Sequence, residues 1–323
     1  MRERQTVLVL LFYILNSSFP HMYKKRGGED IMRELLQDLF EKRLDLFVSE
    51  KRSNKLFFPK AERKQAALAK RSAEIVKINA SGKIIEEAVD EEFQTLKYQA
   101  HYQYLIKQKG LLYIEEELEE RIAKFYNGAL VMDEEIKVPI HPQEPTKEQI
   151  KLELDEQGDR LNYEYNRLKA VQYAERWWNT YNPVFTKFEN NCTNYISQCL
   201  RAGEAPMRGH PNRGNGWWYQ HTNWSYSWAV AHSLKNYLGN SKSGLRAREV
   251  SSPDQLILGD VICYDFEGDG RFNHNTIVTG KDAHGMPLVN ANTYNSRMRY
   301  WAYEDSSAYT PKIKYKFYSI FDE

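Results

Sequence analysis

Asn190-Asn191-Cys192-Thr193-Asn194-Tyr195-Ile196-Ser197-Gln198-Cys199-Leu200, closed by Ala202-Gly203, decides how the C-terminal half of this chain folds. Either asparagine suits an N-cap and Gly203 suits the C′ position, so the stretch predicts a short helix with Cys192 in its first turn. There the unpaired amides and the helix dipole favour a thiolate and can hold a developing oxyanion. A single cysteine is more often a small buried hydrophobe, and that reading suits Cys199 and Cys263. The polar Asn-Asn-Cys-Thr-Asn setting favours a chemical role for Cys192.

A thiol nucleophile needs a general base. Of the eight histidines, His274 has the most suggestive setting. Leu258 to Tyr264 reads as a strand after a turn, Asp265 to Asn273 as a loop, and His274 to Gly280 as a second strand. A histidine at a strand end beside a loop is held in place yet reachable. His221 is a second candidate, and the others read as surface residues. The next strand, Pro287 to Thr293, carries Asn290 and Asn292 on one face, where either can hold an imidazole in its working tautomer.

Taken in order, these motifs resemble the putative amidase domain of Gram-positive bacteria. The likeness is carried by Trp177-Trp178, Tyr181-Asn182-Pro183, Asn191 to Leu200, Ser227-Trp228, Gly259-Asp260-Val261-Ile262, Asp269-Gly270, His274, Ile277 to Gly280 and Val289-Asn290-Ala291. The resemblance implies a papain-like α+β domain with catalytic Cys192 and His274 and no cofactor. It also implies hydrolysis of an amide in a peptide or cell-wall (peptidoglycan) substrate through an acyl-thioester. Two departures leave the third catalytic member open between Asn292 and Asn290: the family usually has Asp at Asn191 and His at Asn292. The rivals are an inert cell-wall or peptide binding module of the same fold, and a protein acyltransferase or deamidase using the same dyad.

Gly216-Trp217-Trp218-Tyr219 and Trp224 to Trp228 lead into a helix expected over Ser227 to Leu238. Trp217, Trp218 and Trp224 either wall a substrate groove or cover the core. Asp265 to Gly270 resembles the start of a calcium loop. Its twelfth position is Thr276 rather than Glu, so a hairpin loop is the preferred reading and no metal is assigned.

Composition sets the outer limits. All seven tryptophans and all three cysteines lie beyond residue 176, so two different cores are expected in the 323 residues. An odd cysteine count leaves a free thiol, and the spacings match no zinc pattern. Lys+Arg 45 against Asp+Glu 44 argues against nucleic acid as main partner. The apolar run Val7 to Leu15 is too short to span a bilayer. Residues 1–30 are either a secretory signal or a tail; a signal in 1–20 implies a secreted or wall-associated protein, its absence a cytoplasmic one.

Residues 31–137 are expected to form a small α+β domain of unassigned role, similar to cystatin-like or nuclear-transport-factor-like domains. Helices are predicted over Ile31 to Glu50 and Lys60 to Ala73. Strands follow over Gln94 to Ile106, where Leu96, Tyr98, Ala100, Tyr102, Tyr104 and Ile106 alternate, and over Leu111 to Leu118. The proline-rich 138–146 reads as a linker, and 147–323 as the amidase domain, opening on a helix from Lys147 to Thr180. Oligomeric state is not legible.

Overall fold

A computed structural model of the chain describes residues 12–14, 28–48, 58–90, 92–137 and 163–322. The expected linker, most of the apolar N-terminal run and the first half of the 147–180 helix lie outside them. The chain divides into two compact units, one ending at Lys137 but taking in Glu304–Ser307, the other holding Val138–Tyr303 and Ala308–Glu323. Each mixes helices with a sheet, so the fold class is α+β.

In the first unit, β1 (Phe12–Ile14) pairs in parallel with β2 (Ala73–Val89). Antiparallel β3 (Phe93–Gln108), β4 (Leu111–Tyr126) and β5 (Ala129–Glu135) continue the sheet. The six alternating apolar residues of β3 are all buried, as the two-residue period requires. β2 gives a weaker signal because bulges between Ile75 and Lys77 and between Ile84 and Glu86 shift that period within the strand. Helix α1 (Gly28–Val48) buries Met32, Leu36, Phe40, Leu44 and Phe47, a stripe at steps of three and four.

Helix α2 (Pro59–Lys70) carries Lys60 and Lys64. The charged run of β4 turns inward toward them: Lys64 Nζ bonds Glu115, Glu117 (2.6 Å) and Asp305 (2.6 Å), while Lys60 pairs with Glu117 and Glu119. The converging oxygens of Glu115, Glu117 and Asp305 thus already hold a cation, the Lys64 ammonium. Buried charges persist only when paired, which is how glutamates occupy the inward face of β4; the strand itself extends well past Leu118.

The second unit begins with α3 (Arg167–Trp177) and α4 (Cys192–Ala202). The short β6 (Tyr219–Gln220) and β7 (Asn223–Trp224) follow, then α5 (Tyr226–Ala229) and α6 (Ala231–Asn240), which split the expected single helix where Val230 is extended. Its sheet comprises β8 (Ala247–Val250), β9 (Val261–Asp265), β10 (His274–Lys281), β11 (Pro287–Ala291), β12 (Ser296–Tyr300) and β13 (Lys314–Ile320). The spatial order is β12-β11-β10-β9-β13-β8, antiparallel throughout. Leu256, Ile262, Tyr264, Phe266, Val278, Val289, Tyr303 and Phe317 form one of its cores. No helix among the described residues is long and apolar enough to cross a membrane.

Arg167, the first residue of α3, ties that helix to the sheet. It donates to Asp260 Oδ1 (2.7 Å), Leu258 O (2.9 Å) and Ile320 O (2.6 Å). Asp260 is fully buried and also accepts from the amides of Ile257 (2.8 Å) and Ile320 (3.0 Å). Arg167→Met leaves that carboxylate buried without its counter-charge, an expected loss of about 2–3 kcal/mol. Urea unfolding followed by tryptophan fluorescence reads this unit selectively, since all seven tryptophans lie within it. Adding Asp260→Asn to Arg167→Met is expected to restore part of the loss.

Candidate active site

Helix α4 is buried from Cys192 through Leu200, although many of its residues are polar. Each polar side chain therefore needs a partner. Thr193 Oγ1 accepts from Asn275 Nδ2 (3.0 Å), Asn194 Oδ1 from Trp228 Nε1 (2.8 Å) and Ser197 Oγ from Trp217 Nε1 (2.9 Å). Asn191 stands at the N-cap but does not cap with its side chain. Its Oδ1 accepts from Asn194 Nδ2 (2.9 Å), its Nδ2 donates to Asn292 Oδ1 (3.0 Å) and its amide donates to Thr293 Oγ1 (2.7 Å). At the other end Gly203 has φ −74°, not the left-handed value expected of a C′ glycine. Glycine is needed there for close approach, because a Cβ would meet Tyr165 Cε2 at 2.3 Å.

Cys192 is 6% exposed, and its sulfur lies 3.7 Å from Thr193 Oγ1. Burial pushes the thiol up; the Thr193 hydroxyl and the amides of Asn275 and Thr193 pull it back, but burial wins. Cys199 and Cys263 are fully buried thiols, also pushed up by burial. All three cysteines are free.

The expected Cys192–His274 pair is not made in this arrangement. Tyr264 stands opposite His274 and Cys263 opposite Asn275 across the β9–β10 ladder, and successive residues of β10 face opposite sides of the sheet. Asn275 faces α4, as its bond to Thr193 requires. His274 faces the other way, with its ring centroid 5.6 Å from Tyr264, 6.0 Å from Phe266 and 5.4 Å from Tyr303. Its Nε2 lies 3.4 Å from Tyr303 Oη. Burial, reinforced by the Arg299 charge, lowers its pKa to about 3, so the ring is neutral at physiological pH. A strand-end position sets where a backbone sits; the alternation sets which face the side chain takes.

The two asparagines are likewise engaged elsewhere. Both are fully buried. Asn292 Nδ2 donates to the carbonyls of Trp177 (3.3 Å) and Trp178 (3.2 Å) while its Oδ1 serves Asn191. Asn290 Oδ1 accepts from Thr279 Oγ1 (2.8 Å) and the Met298 amide (2.8 Å), and its Nδ2 donates to Glu175 (2.8 Å). Neither bonds His274; they lock α3 and the start of α4 onto β11. Asn275, Thr293 and Asn194 complete the setting around Cys192 and were not singled out from sequence. β10 opens on three polar residues in a row, His274-Asn275-Thr276, so nothing in the sequence sets Asn275 apart.

Of the three groove candidates, Trp217 and Trp218 are fully buried, and their indole nitrogens bond Ser197 Oγ and Asn212 O (3.0 Å). They belong to the core, because a wide aromatic ring with a satisfied N–H packs best there. Trp224 remains half-exposed, edge-on to Phe188 at 4.8 Å. In the Asp265–Gly270 loop, the buried Asp265 carboxylate accepts from the amides of Gly268 (2.7 Å), Asp269 (3.2 Å) and Gly270 (2.8 Å). Both its oxygens organise the loop.

Residues 164–318 match the family model described as putative amidase domain. The chain belongs to that family. It is 51% identical over 306 residues to the uncharacterized protein YhbB of Bacillus subtilis (strain 168), an alignment covering 92% of this chain and 98% of the relative. It is 29% identical over 126 residues to the uncharacterized protein YjcM of the same organism, covering 36% of this chain and 28% of that one. No solved structure matches. For this amidase-family domain, the site's geometry is what defines its chemistry.

Two outcomes test these placements. Trp217→Ala is expected to cost about 3–5 kcal/mol, the loss for removing a fully buried aromatic, whereas Trp224→Ala costs under about 1 kcal/mol; urea titration compares them. The second concerns pH. The folded pKa of His274, about 3, lies below the ordinary 6.5, so the unfolded chain binds the extra proton between those values. Stability is therefore present above 6.5 and falls as pH drops toward 3. His274→Phe is expected to flatten that slope, read as the change in urea midpoint between neutral pH and pH 4.

Proposed function

We propose that the chain is an amide-bond hydrolase in which Cys192 is the nucleophile and His274 the base. The observation that carries the reading is the sulfur's position in the first turn of α4, met by the backbone amides of Thr193 and Asn275. Such amides stabilise a thiolate and then the oxyanion of a tetrahedral intermediate. In the reaction, Cys192 gives its proton to the imidazole and attacks the carbonyl carbon. The amine leaves with that proton, and water cleaves the thioester to regenerate the thiol. A peptide of the bacterial cell wall is the first substrate to try, following the family resemblance.

The reading treats the buried arrangement as a resting one. His274 must leave its aromatic surroundings and cross to the α4 face before it can take the proton. It is the first residue of β10, preceded by a loop with Gly268 and Gly270 at positive φ, so the reading requires a backbone change at that strand end with the register of the rest of β10 kept. A second reading, an inert peptide-binding module, is favoured by one observation: no imidazole nitrogen hydrogen-bonds the Cys192 sulfur among the described residues. Acyl transfer or deamidation on a protein uses the same first step and is separated by amine-incorporation assays.

Iodoacetamide labelling at neutral pH, mapped by mass spectrometry, distinguishes the first two. The hydrolase predicts that Cys192 labels faster than Cys199 and Cys263. It also predicts that purified cell-wall fragments are cleaved, and that Cys192→Ala and His274→Ala each lose at least about a hundredfold in rate. Equal, slow labelling of all three thiols with no cleavage would leave the binding module standing.

A further inference from the structure

A shallow, open depression borders the first turn of α4, with Trp177, Tyr181, Asn182, Lys187, Asn191 and Gln198 among its walls. Asn191 directly precedes Cys192, so the pocket adjoins the turn that carries the thiol. The chemistry of the walls is one-sided. The acceptors are already used: Asn182 Oδ1 by the Val184 amide (3.0 Å), Asn191 Oδ1 by Asn194 (2.9 Å), and Gln198 Oε1 by Tyr173 Oη (2.7 Å). Tyr173 Oη itself accepts from Asn182 Nδ2 (2.8 Å), which fixes its own proton on Gln198 and the orientation of the Gln198 amide.

What remains is one donor. Gln198 is only 5% exposed, yet its Nε2 has no hydrogen-bond partner among the described residues. An N–H pair that no protein group meets, at the floor of an open depression, is available to an incoming acceptor. Two cations stand at the aromatic rim: the Lys187 ammonium 4.2 Å from the Tyr181 ring centroid, and the Arg176 guanidinium 5.3 Å from that of Trp177. Both residues are exposed, and neither forms an ion pair among the described residues. One unused donor below and unpaired cations above match a carboxylate with an apolar stem against the aromatic walls.

We propose that this pocket is a substrate subsite that selects a free carboxylate close to the scissile amide, with Gln198 Nε2 as donor and Lys187 as counter-charge. The inference rests on the hydrolase reading for its role in catalysis, but its binding chemistry can be read without turnover.

Full-length Cys192→Ala protein is immobilised and challenged with two synthetic libraries of acetylated tripeptides built from uncharged residues, one ending in carboxylate and the other in carboxamide. The carboxylate library is expected to bind about tenfold more tightly. Lys187→Glu, at an exposed position, is expected to abolish that preference while leaving the urea midpoint unchanged. Gln198→Leu, with the midpoint checked in the same way, is expected to weaken carboxylate binding. Equal retention of the two libraries, retention of neither, or a preference that survives Lys187→Glu overturns the subsite. Carboxylate selectivity with an inert Cys192 instead leaves the pocket standing and removes the hydrolase, so the two readings fail separately.

Discussion

Strand β10 faces one way at Asn275 and the other way at His274, and the candidate site is built around that alternation. Because Asn275 reaches Thr193 on α4, the backbone of β10 is drawn up to the first turn of the helix. The Asn275 amide then meets the Cys192 sulfur, and the imidazole one residue earlier is sent into the aromatic core with Tyr264, Phe266 and Tyr303. A period of two permits no compromise on a flat strand. The same constraint explains both why the sulfur has amides around it and why it has no base beside it.

Helix α4 shows how a polar sequence can fill a core. Thr193, Asn194, Ser197 and Gln198 would each be costly to bury alone. Indole N–H groups of Trp217 and Trp228, the amide of Asn275 and the hydroxyl of Tyr173 meet them one by one. Each such bond contributes only about 1 kcal/mol net, but leaving any one unmade costs more than that. The network therefore specifies one seating of the helix. Asn191 is its hub, since its amide and both side-chain atoms fix the loop, Asn292 and Thr293 at once. Gln198 Nε2 is the helix's amide donor that no described residue meets.

The first unit applies the same logic to full charges. Glu115, Glu117 and Glu119 point inward from β4 onto Lys60 and Lys64, whose ammonium groups also lie 5.0 and 4.7 Å from the ring centroids of Tyr102 and Tyr104. The aromatic face of β3 supplies a polarisable floor for cations that would otherwise be poorly solvated there. Past Leu118 the buried face of β4 changes from charged Glu119 and Arg121 to apolar Ala123 and Phe125, so an apolar reading stops the strand early.

Local pattern was enough for the α+β class, the buried alternation of β3, the helix beginning at Cys192 and the strand beginning at His274, because capping, periodicity and turn residues act over a few positions. The ordered motifs were enough for the family. Three matters were decided only by tertiary contacts: the face taken by His274, the partners of Asn290 and Asn292, and the burial of Trp217 and Trp218. Each depends on which distant side chain arrives to satisfy a polar group or fill a space. Asparagine and histidine offer both donor and acceptor, so their neighbours along the chain do not dictate that choice; packing does.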